Sequence, residues 1–414
     1  MILPISNKKD SDNEEMSSHR SVVFQYLKLP GEKKRFVCLQ QSILVFAWML
    51  FFIKDSLTPI VRFDSKTSRG RLFVKQLQSY LGFVKRNIRC LSHFLGYKFQ
   101  VFSRQEVVEL PCYGQICVRI HKGYKIFDFH RGVAIKVFDR HVNSAAIRDE
   151  IDILKVVSRI EFASSIKKWS IEGRWYEEEY VNGSLDSSYK PLDSGALIEK
   201  FSNEILQHLT SLTLFQKPLT KNAIEHAFDM TKALSFKISP RQASPGGEYP
   251  KILSFMDSMV HRLRTEGDYP IFLVFAHGDF VPANMLNTRY GLKIIDWEGA
   301  GYRSALFDFY SYFFYRPACR EVPVTELVSE INTALPMFIS GLAENAPEVS
   351  NSLKTCEKGY RWIFYLEMIC RLVDREMTDK NLNMMHYIQE YIKAFSLYED
   401  LCGNENERHS KNPR

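Results

Sequence analysis

Two apolar segments, each followed at once by side chains that carry oxygen, constrain this chain most strongly. The first, 271–276, leads into His-Gly-Asp-Phe-Val-Pro-Ala-Asn at 277–284. The second, 292–295, ends at another Asp, and the Asn- and Gly-containing stretch 287–291 between them predicts a hairpin turn. The pattern predicts that three polar side chains converge at the ends of buried strands: Asp279, Asn284 and Asp296.

These residue types suit the transfer of a phosphoryl group. An acceptor hydroxyl needs a carboxylate that orients it and takes its proton, and Asp279 is the candidate. Nucleotide phosphates need a divalent metal, and hard cations prefer oxygen ligands such as those of Asn284 and Asp296. In protein kinases a catalytic-loop Asp precedes an Asn by five positions, and a second Asp follows later. The alternative is that all three are ordinary turn formers.

The combination of HGDFVPANML and IIDWE resembles the catalytic core of the aminoglycoside phosphotransferase and choline kinase group, small-molecule kinases with a protein-kinase-like fold. The resemblance implies that Asp279 is the catalytic base and that Asn284 and Asp296 bind Mg²⁺. It also implies supporting roles. His277 would brace the loop, and Asp308 would hydrogen-bond to it.

The sequence departs from protein kinases at Trp297-Glu298, which stands in place of Phe-Gly. Choline-kinase-like proteins have a similar aromatic-Glu pair. The resemblance therefore leaves two interpretations open for Glu298: contact with substrate or a second metal, or capping of the next segment.

Val-Ala-Ile-Lys at 133–136 resembles the lysine motif on the third strand of kinases. The resemblance implies that Lys136 neutralises the α- and β-phosphates of ATP. A partner acid is then expected on the following helix, and we prefer Glu150 to its neighbour Asp149. The alternative is that Lys136 is an exposed strand lysine.

Glu-Glu-Tyr-Val-Asn-Gly at 178–183 resembles the segment that joins the two lobes in this family. By that resemblance, backbone groups near Glu179 and Val181 would pair with the nucleotide base. The alternative is a strand end with a solvated acidic run. No strict glycine-rich loop precedes this segment, where Gly114 and Gly123 stand nine residues apart, so the phosphate cover is unassigned.

The order of strand-like and helix-like patterns predicts an α+β fold: a bilobal protein-kinase-like fold with a small antiparallel β-rich N-lobe and a larger helical C-lobe. Short β-prone runs occupy 115–120, 124–129 and 133–138. Helical windows follow at 145–157, 195–214, 222–236, 250–264, 324–343 and 355–377. The predicted domains are a disordered lead at 1–20, an N-terminal extension at 21–104, the N-lobe at 105–181, the C-lobe at 182–402 and a tail at 403–414.

The extension contains two unusual patterns. An apolar run of 11 residues at 43–53 is shorter than the roughly 20 that a spanning helix needs, so we prefer a buried element. Residues 65–105 carry nine Lys or Arg and no Asp or Glu, with apolar residues, including Val84, Ile88, Leu91 and Leu95, at helical spacing. Such a helix contacts an anionic membrane or, as we prefer, packs on the neighbouring domain.

Composition limits the functional classes further. The formal charge of +7 is modest for 414 residues, and no nucleic-acid partner is expected. The eight cysteines form no CxxC pair and are interpreted as reduced thiols of a cytoplasmic protein. No dense acidic cluster suited to a polycationic aminoglycoside stands out. Trp362 and Tyr365 could line a pocket for a cationic headgroup, although core packing is the preferred role.

These observations favour an ATP- and Mg²⁺-dependent phosphotransferase that acts on a hydroxyl of a small molecule, such as a sugar or an amino alcohol. The alternative is a catalytically inactive kinase-like scaffold that binds nucleotide or a partner, with peripheral contact to an anionic membrane through 65–105. The sequence does not distinguish ATP from GTP.

Overall fold

The computed structural model describes residues 23–29, 34–52, 84–85, 87–99, 106–185, 193–238, 248–318, 322–378 and 384–410. These residues fall into two compact units, one within Met1–Arg140 and Glu172–Trp175, the other within His141–Ile171 and Tyr176–Arg414. The first unit is rich in strands and the second is mainly helical. The predicted α+β class, with a β-rich part and a larger helical part, is confirmed. The predicted lead at 1–20 lies outside the described residues.

The first unit is built on an antiparallel sheet with the order β3-β1-β2-β4-β5-β6. The strands are β1 (Phe24–Lys28), β2 (Arg35–Cys38), β3 (Val107–Leu110), β4 (Ile116–Ile120), β5 (Gly123–Asp128) and β6 (Val133–Phe138). The β-prone runs predicted for β4, β5 and β6 are therefore present as strands. Both Gly123 and Gly132 have positive φ angles in the turns between them.

The domain boundary predicted at residue 105 differs from the structure. β1 and β2 lie between β3 and β4 in the sheet, so residues assigned to an extension belong to the β-rich unit. The second boundary differs too, because 141–171 groups with the helical unit. Strands as short as FQYLK and RFVC give little local signal, and their pairing partners lie far along the chain.

Each face of this sheet covers its own apolar cluster, because neighbouring residues of a strand point to opposite faces. Phe36 packs in one cluster with Tyr26 and Ile126. Val37, the next residue, packs in the other cluster with Phe46 and Phe94. Phe46 belongs to helix α1 (Ile43–Phe52), and Phe94 belongs to helix α2 at 87–98.

The apolar run and the described part of the basic segment therefore contribute to one core. The rings of Phe46 and Phe94 lie 4.3 Å apart, centroid to centroid. The buried face of α2 is formed by Asn87, Cys90 and Phe94, whereas Ile88, which was expected on the apolar stripe, is 56% exposed. None of the described helices is long and apolar enough to cross a membrane. Most of the predicted membrane-contacting segment lies outside the described residues, and that contact stays a prediction.

The second unit contains most of the helices: α3 (Ser144–Val157), α4 (Ser194–Lys200), α5 (Leu206–Phe215), α6 (Ala223–Ile238), α7 (Glu248–Glu266), α8 (Phe307–Ala318), α9 (Val324–Leu342), α10 (Pro347–Thr355), α11 (Glu357–Thr378) and α12 (Met385–Ser410). The predicted helical windows all contain helices. One π-helical stretch, Phe201–Ile205, joins α4 to α5. The sequence patterns did not predict α8, α10 and α12, and α12 continues beyond residue 402, where the C-lobe was expected to end.

The remaining strands are β7 (Ile166–Ser170), β8 (Trp175–Glu179), β9 (Ser184–Leu185), β10 (Leu219–Asn222), β11 (Pro270–Ala276), β12 (Met285–Thr288), β13 (Gly291–Ile294) and β14 (Gly301–Ser304). In the helical unit, strands from this set form two small antiparallel sheets, with the orders β10-β11-β14 and β13-β12-β9. β11 and the β12–β13 hairpin are the two segments that the sequence predicted to carry the polar residues.

Candidate active site

The first polar loop leaves β11 through a turn that requires glycine. β11 is buried along most of its length. Gly278 then has a φ of +77°, and an added Cβ would lie 2.1 Å from the carbonyl oxygen of Gly299. Both the backbone angle and the close approach exclude a side chain here. The glycine of the His-Gly-Asp motif therefore has a steric explanation.

Asp308 holds the backbone of this loop. Its Oδ2 accepts a hydrogen bond from the N–H of His277 at 2.6 Å, and its Oδ1 accepts from the N–H of Gly278 at 3.0 Å. Asp308 lies in the first turn of α8, where a carboxylate is also favoured by the helix dipole. Burial raises the pKa of Asp308, although His277 and the two N–H donors oppose that rise.

His277 joins the loop to the hairpin. Its Nδ1 accepts from the N–H of Asp279 at 3.1 Å, and its Nε2 lies 3.0 Å from the carbonyl oxygen of Ile295. These partners require the neutral tautomer with its proton on Nε2. The side chain is completely buried, and burial lowers the pKa of His277 despite the nearby carboxylates. The Trp297 ring and the imidazole pack in a T-shaped arrangement, with 4.5 Å between their centroids.

The register of the β12–β13 hairpin brings Asn284 close to Asp296. Met285 pairs with Ile294, and the N–H of Ile295 donates to the carbonyl oxygen of Asn284 at 3.0 Å. The side-chain Nδ2 of Asn284 donates to the carbonyl oxygen of Asp279 at 2.9 Å. Asp296 is the next residue along the hairpin, and its side chain is exposed.

Asp296 adopts an unusual backbone conformation, with a φ of 68° and a ψ of 55°. Few residues other than glycine occupy this left-handed region, although Asp does so more readily than most. Such conformations occur often at functional sites. The observed angles are therefore consistent with a residue whose side-chain orientation is needed for function despite the backbone strain.

The residues of this loop and hairpin fit a magnesium ion. With Nδ2 of Asn284 engaged, Oδ1 is the atom of that carboxamide that a cation would bind, and Asp296 adds a carboxylate. Mg²⁺ typically takes one or two protein oxygens and completes its shell with water and phosphate. The described residues contain no group of three or more His, Cys, Asp or Glu suited to a metal, so a complete protein cage is not part of this arrangement.

Two arginines of α11 contact the carboxylate of Asp279. Arg371 Nη2 lies 2.8 Å from Oδ2, and Arg375 Nη2 lies 3.6 Å from the same oxygen. Arg375 also lies 3.8 Å from Glu298, and the two interpretations of Glu298 stay predictions. Burial raises the pKa of Asp279, but the two guanidinium groups outweigh burial, and the net pKa is lowered. Asp279 is therefore ionised at neutral pH.

A third arginine, Arg303, packs beneath the loop. Its Nη2 donates to the carbonyl oxygen of Gly299 at 3.2 Å, and its guanidinium stacks on Phe307 at 4.6 Å from the ring centroid. Its Nε lies against Gly278, 3.0 Å from where a Cβ would be, and has no hydrogen-bond partner among the described residues. Burial lowers the pKa of Arg303.

The sequence prediction missed these three arginines. Arg371 and Arg375 are four residues apart on a helix, so they share one face, and that spacing was the only available signal. The aromatic residues considered for the acceptor pocket are instead core residues. Trp362 and Tyr365 are buried, and both donate hydrogen bonds to Glu399, at 3.0 and 3.1 Å.

The residues predicted on the nucleotide side lie in different units. Lys136 is on β6 of the first unit and is 5% exposed, with its Nζ 5.2 Å from the centroid of the Phe138 ring. Glu150 is on α3 of the second unit and is 4% exposed, and it accepts a hydrogen bond from the Tyr176 hydroxyl at 3.0 Å. Asp149 is exposed, so burial favours Glu150 of the two acids.

The predicted hinge segment runs directly to the hairpin. The N–H of Glu179 donates to Ser165 at 2.9 Å, so that N–H is already used within the unit. After Val181 the chain passes Gly183, where an added Cβ would lie 2.8 Å from the carbonyl oxygen of Asn287. β9 then pairs with β12. The hinge and the hairpin of Asn284 are therefore neighbours.

No protein-family model and no curated protein matches this chain. Comparison with solved structures returns small-molecule kinases. A choline kinase from Streptococcus pneumoniae has a TM-score of 0.43 and 17% identity, over 67% of this chain and 90% of its own. An ethanolamine kinase from Plasmodium vivax has a TM-score of 0.44 and 14% identity, over 81% and 95%. A thermostable mutant of an aminoglycoside phosphotransferase has a TM-score of 0.41 and 15% identity, over 68% and 89%.

The site itself has three features on which a resemblance depends. The catalytic-loop motif follows a buried strand, its backbone is held by a buried carboxylate, and a hairpin delivers the second Asp beside the Asn. The β-rich unit begins before the helical unit along the chain. In motif spacing and in the order of its units, the chain resembles the choline kinase and aminoglycoside phosphotransferase group of small-molecule kinases.

Proposed function

We propose that this protein is an ATP- and Mg²⁺-dependent phosphotransferase that moves the γ-phosphoryl group of ATP to a hydroxyl of a small molecule. The observation that carries the proposal is the arrangement of Asp279, Asn284 and Asp296. An ionised carboxylate is hydrogen-bonded through its own backbone to a carboxamide, and the register of the hairpin brings a second carboxylate beside that carboxamide. A turn that merely capped a hairpin would not need all three.

In the proposed reaction Asp279 orients the acceptor hydroxyl and receives its proton. The hydroxyl oxygen bonds to the γ-phosphorus while the bond from that phosphorus to the bridging oxygen breaks, and its electron pair leaves with ADP. A carboxylate with a lowered pKa is a weak base. It suits a loose transition state, in which the hydroxyl loses its proton late and positioning matters more than basicity.

Asn284 and Asp296 would hold Mg²⁺, which when bound neutralises charge on the ATP phosphates. Lys136 would contact the α- and β-phosphates, with Glu150 as its partner acid. Backbone groups near Glu179 and Val181 would contact the base. The burial of Lys136 supports a role for its charge, because a buried charge is retained only with a partner.

His277 and Asp308 are proposed to fix the loop rather than to react. Asp308 accepts from two consecutive N–H groups of the loop, and His277 bonds to the next N–H and to the hairpin. Together they fix the backbone from which Asp279 projects. Because correct orientation of reacting groups contributes several kcal/mol to catalysis, about 7 or more in favourable cases, loss of either support is expected to lower turnover.

Nucleotide binding tests the metal assignment. Isothermal titration calorimetry is made with ATP in the presence and absence of Mg²⁺. We expect wild type to bind ATP in a Mg²⁺-dependent manner and Asp296→Asn to bind it about 10- to 100-fold more weakly. Asp279→Asn should retain the wild-type affinity, because Asp279 acts on the acceptor. Asp257→Asn, at an exposed position of α7, is the matched control.

Two results contradict this assignment. One is Mg²⁺-dependent ATP binding that Asp296→Asn leaves unchanged. The other is an equal loss of binding in Asp279→Asn and Asp296→Asn, which would indicate a general disturbance of the loop rather than a metal ligand.

A further inference from the structure

The acceptor side of the loop carries more positive charge than a neutral or cationic acceptor requires. Arg371 and Arg375 both contact Oδ2 of Asp279, and Arg303 packs against the turn beneath it. The side chains of Arg371 and Arg375 are 10% and 36% exposed. The first is therefore largely desolvated, and the second is open to a ligand from solvent.

The reaction changes the balance of charge at this place. When Asp279 receives the proton of the acceptor hydroxyl, its carboxyl becomes neutral and the two guanidinium groups lose their closest counter-charge. Glu298, the other carboxylate near the pair, lies farther away, 3.8 Å from Arg375. Loss of a negative charge beside partly buried cations is unfavourable. An anionic group on the acceptor would replace the lost charge.

The geometry of the arginine pair suits an oxyanion. Arg371 and Arg375 are four residues apart on one face of α11, so two planar groups with several N–H donors are presented side by side. Guanidinium groups bind carboxylate and phosphate through paired hydrogen bonds that a hydroxyl or an ammonium group cannot reproduce. The Nε of Arg303, which has no partner among the described residues, adds a buried donor beneath the same loop.

We infer that the acceptor of this phosphotransferase is itself an anion, a small hydroxyl compound whose carboxylate or phosphate binds Arg371 and Arg375 while its hydroxyl reaches Asp279. The inference rests on the proposed function and specifies its substrate class. A cationic amino alcohol would place a like charge against the two arginines. The aromatic residues considered as its binding site, Trp362 and Tyr365, are buried in the core. The chain thus differs in acceptor charge from the choline and ethanolamine kinases that it resembles.

Matched ligands test this inference. The full-length protein is titrated with glucuronate, glucose and glucosamine, which share a ring and differ in charge. Glycerol 3-phosphate, glycerol and inorganic phosphate form a second set without the sugar. Titrations are made with Mg²⁺ and a non-hydrolysable ATP analogue, which fills the nucleotide site, and again without nucleotide. We expect an anion in at least one set to bind at least about tenfold more tightly than its uncharged counterpart.

The arginine variants identify the site. Arg375→Gln should weaken anion binding about tenfold and leave the weak binding of the uncharged ligands unchanged. Arg264→Gln removes a guanidinium that stacks on Phe228 of α6, at 4.6 Å from the ring centroid, and serves as the control. In turnover with an anionic acceptor, Arg375→Gln should raise KM more than it lowers kcat, because it removes ground-state binding.

Three results would overturn the inference: no anion of either set binds more tightly than its uncharged counterpart, glucosamine binds most tightly, or Arg375→Gln lowers kcat for all acceptors alike. The last result would mean that the arginines contact the γ-phosphate. A different result would contradict the proposed function. If the protein showed no Mg²⁺-dependent nucleotide binding, the phosphotransferase function would be contradicted but the preference for anions would not. The titrations without nucleotide still report the preference for anions.

Discussion

Asp279 is an acid whose surroundings act in opposite directions on its pKa. Burial raises the pKa of this carboxyl, and the Arg371 and Arg375 guanidinium groups more than reverse that rise. The folded protein therefore holds Asp279 ionised to lower pH than the unfolded chain does. This ionised form stabilises the fold above the unfolded pKa of about 4, and the stabilisation is lost as pH falls through the folded pKa.

Replacement of Arg371 by glutamine should show that the ionisation of Asp279 contributes to the stability of the fold. The variant removes the guanidinium 2.8 Å from Asp279, so burial then raises the pKa of the carboxyl with less opposition. We expect the free energy of unfolding to fall by about 2 kcal/mol at neutral pH, since a charged hydrogen bond of this kind contributes about that much. The loss should shrink as pH falls from the higher pKa of the carboxyl in the variant through the lowered folded pKa of wild type, below which the carboxyl is neutral in both proteins.

Urea unfolding at a series of pH values measures this difference. Arg371→Lys keeps the charge and should recover part of the stability. A difference between wild type and Arg371→Gln that is the same at pH 3 and pH 7 would show that the arginine stabilises the protein by packing and not through Asp279.

Gly278 offers a second test at the level of one residue. In Gly278→Ala the Cβ would meet the Gly299 carbonyl oxygen at 2.1 Å. We expect a loss of about 3 kcal/mol in the free energy of unfolding. Gly132→Ala is the matched control, because Gly132 also has a positive φ, +64°, but an added Cβ would meet nothing within 4 Å. It should lose only about 1 kcal/mol, the cost of the backbone angle alone. Equal losses in the two variants would show that the close approach does not matter.

The elements around the site are held by buried ion pairs as well as by apolar packing. Arg316 of α8 donates to Glu330 of α9 at 3.1 and 3.2 Å, and both side chains are almost completely buried. Ser194 at the start of α4 also donates to Glu330. Because α8 begins beside Asp308, this pair fixes the helix that supports the catalytic loop.

A double-mutant cycle tests the coupling between these helices. Arg316→Met or Glu330→Leu alone leaves a buried charge without its partner and should cost about 3 to 5 kcal/mol in stability. The double variant should cost less than either single variant, because no uncompensated charge is left. Thermal and urea unfolding measure the three values. A double variant whose loss equals the sum of the single losses would contradict the coupling.

Prediction from sequence succeeded for elements with a strong local signal. A few residues suffice to identify β6 and β11 as strands, from their apolar runs, and α3 as a helix, from its periodic pattern. The loop after β11 and the β12–β13 hairpin were predicted for the same reason. The loop contains a glycine, and turn-forming residues separate the two strands of the hairpin. β1 and β2 were not predicted, since each is only four or five residues long and is stabilised by pairing with distant strands.

The arginines of α11 are the part of the site that could not be predicted from the sequence. Residues 277–296 form a contiguous motif, so their convergence can be inferred from spacing. Arg371 and Arg375 follow on a helix far along the chain, and only the packing of that helix brings them to Asp279. The sequence therefore predicts the group that reacts with the acceptor better than the groups that select it.

At the scale of the whole molecule, the N-terminal residues belong to the β-rich unit. β1 and β2 connect β3 to β4 in the sheet, and α1 and α2 cover one of its faces. A protein lacking residues 1–104 would lose two inner strands and one apolar cluster. We expect this truncation to be insoluble or unfolded by circular dichroism, whereas removal of the polar residues 1–20 should leave the fold intact. A soluble, cooperatively folded product of the longer truncation would contradict the structure of this unit.

The central claim is that Asp279 catalyses phosphoryl transfer to a small-molecule hydroxyl, and acceptor-dependent ADP release tests it most directly. Purified wild type, Asp279→Asn and the control Asp257→Asn are incubated with ATP, Mg²⁺ and pooled anionic, neutral and cationic hydroxyl compounds, and the phosphorylated product is identified by mass spectrometry. We predict release that Asp257→Asn retains and Asp279→Asn loses by a factor of about 10² to 10⁴. Equal release by Asp279→Asn, or no release by a wild-type protein that binds Mg²⁺-ATP, would contradict the claim and favour a nucleotide-binding scaffold.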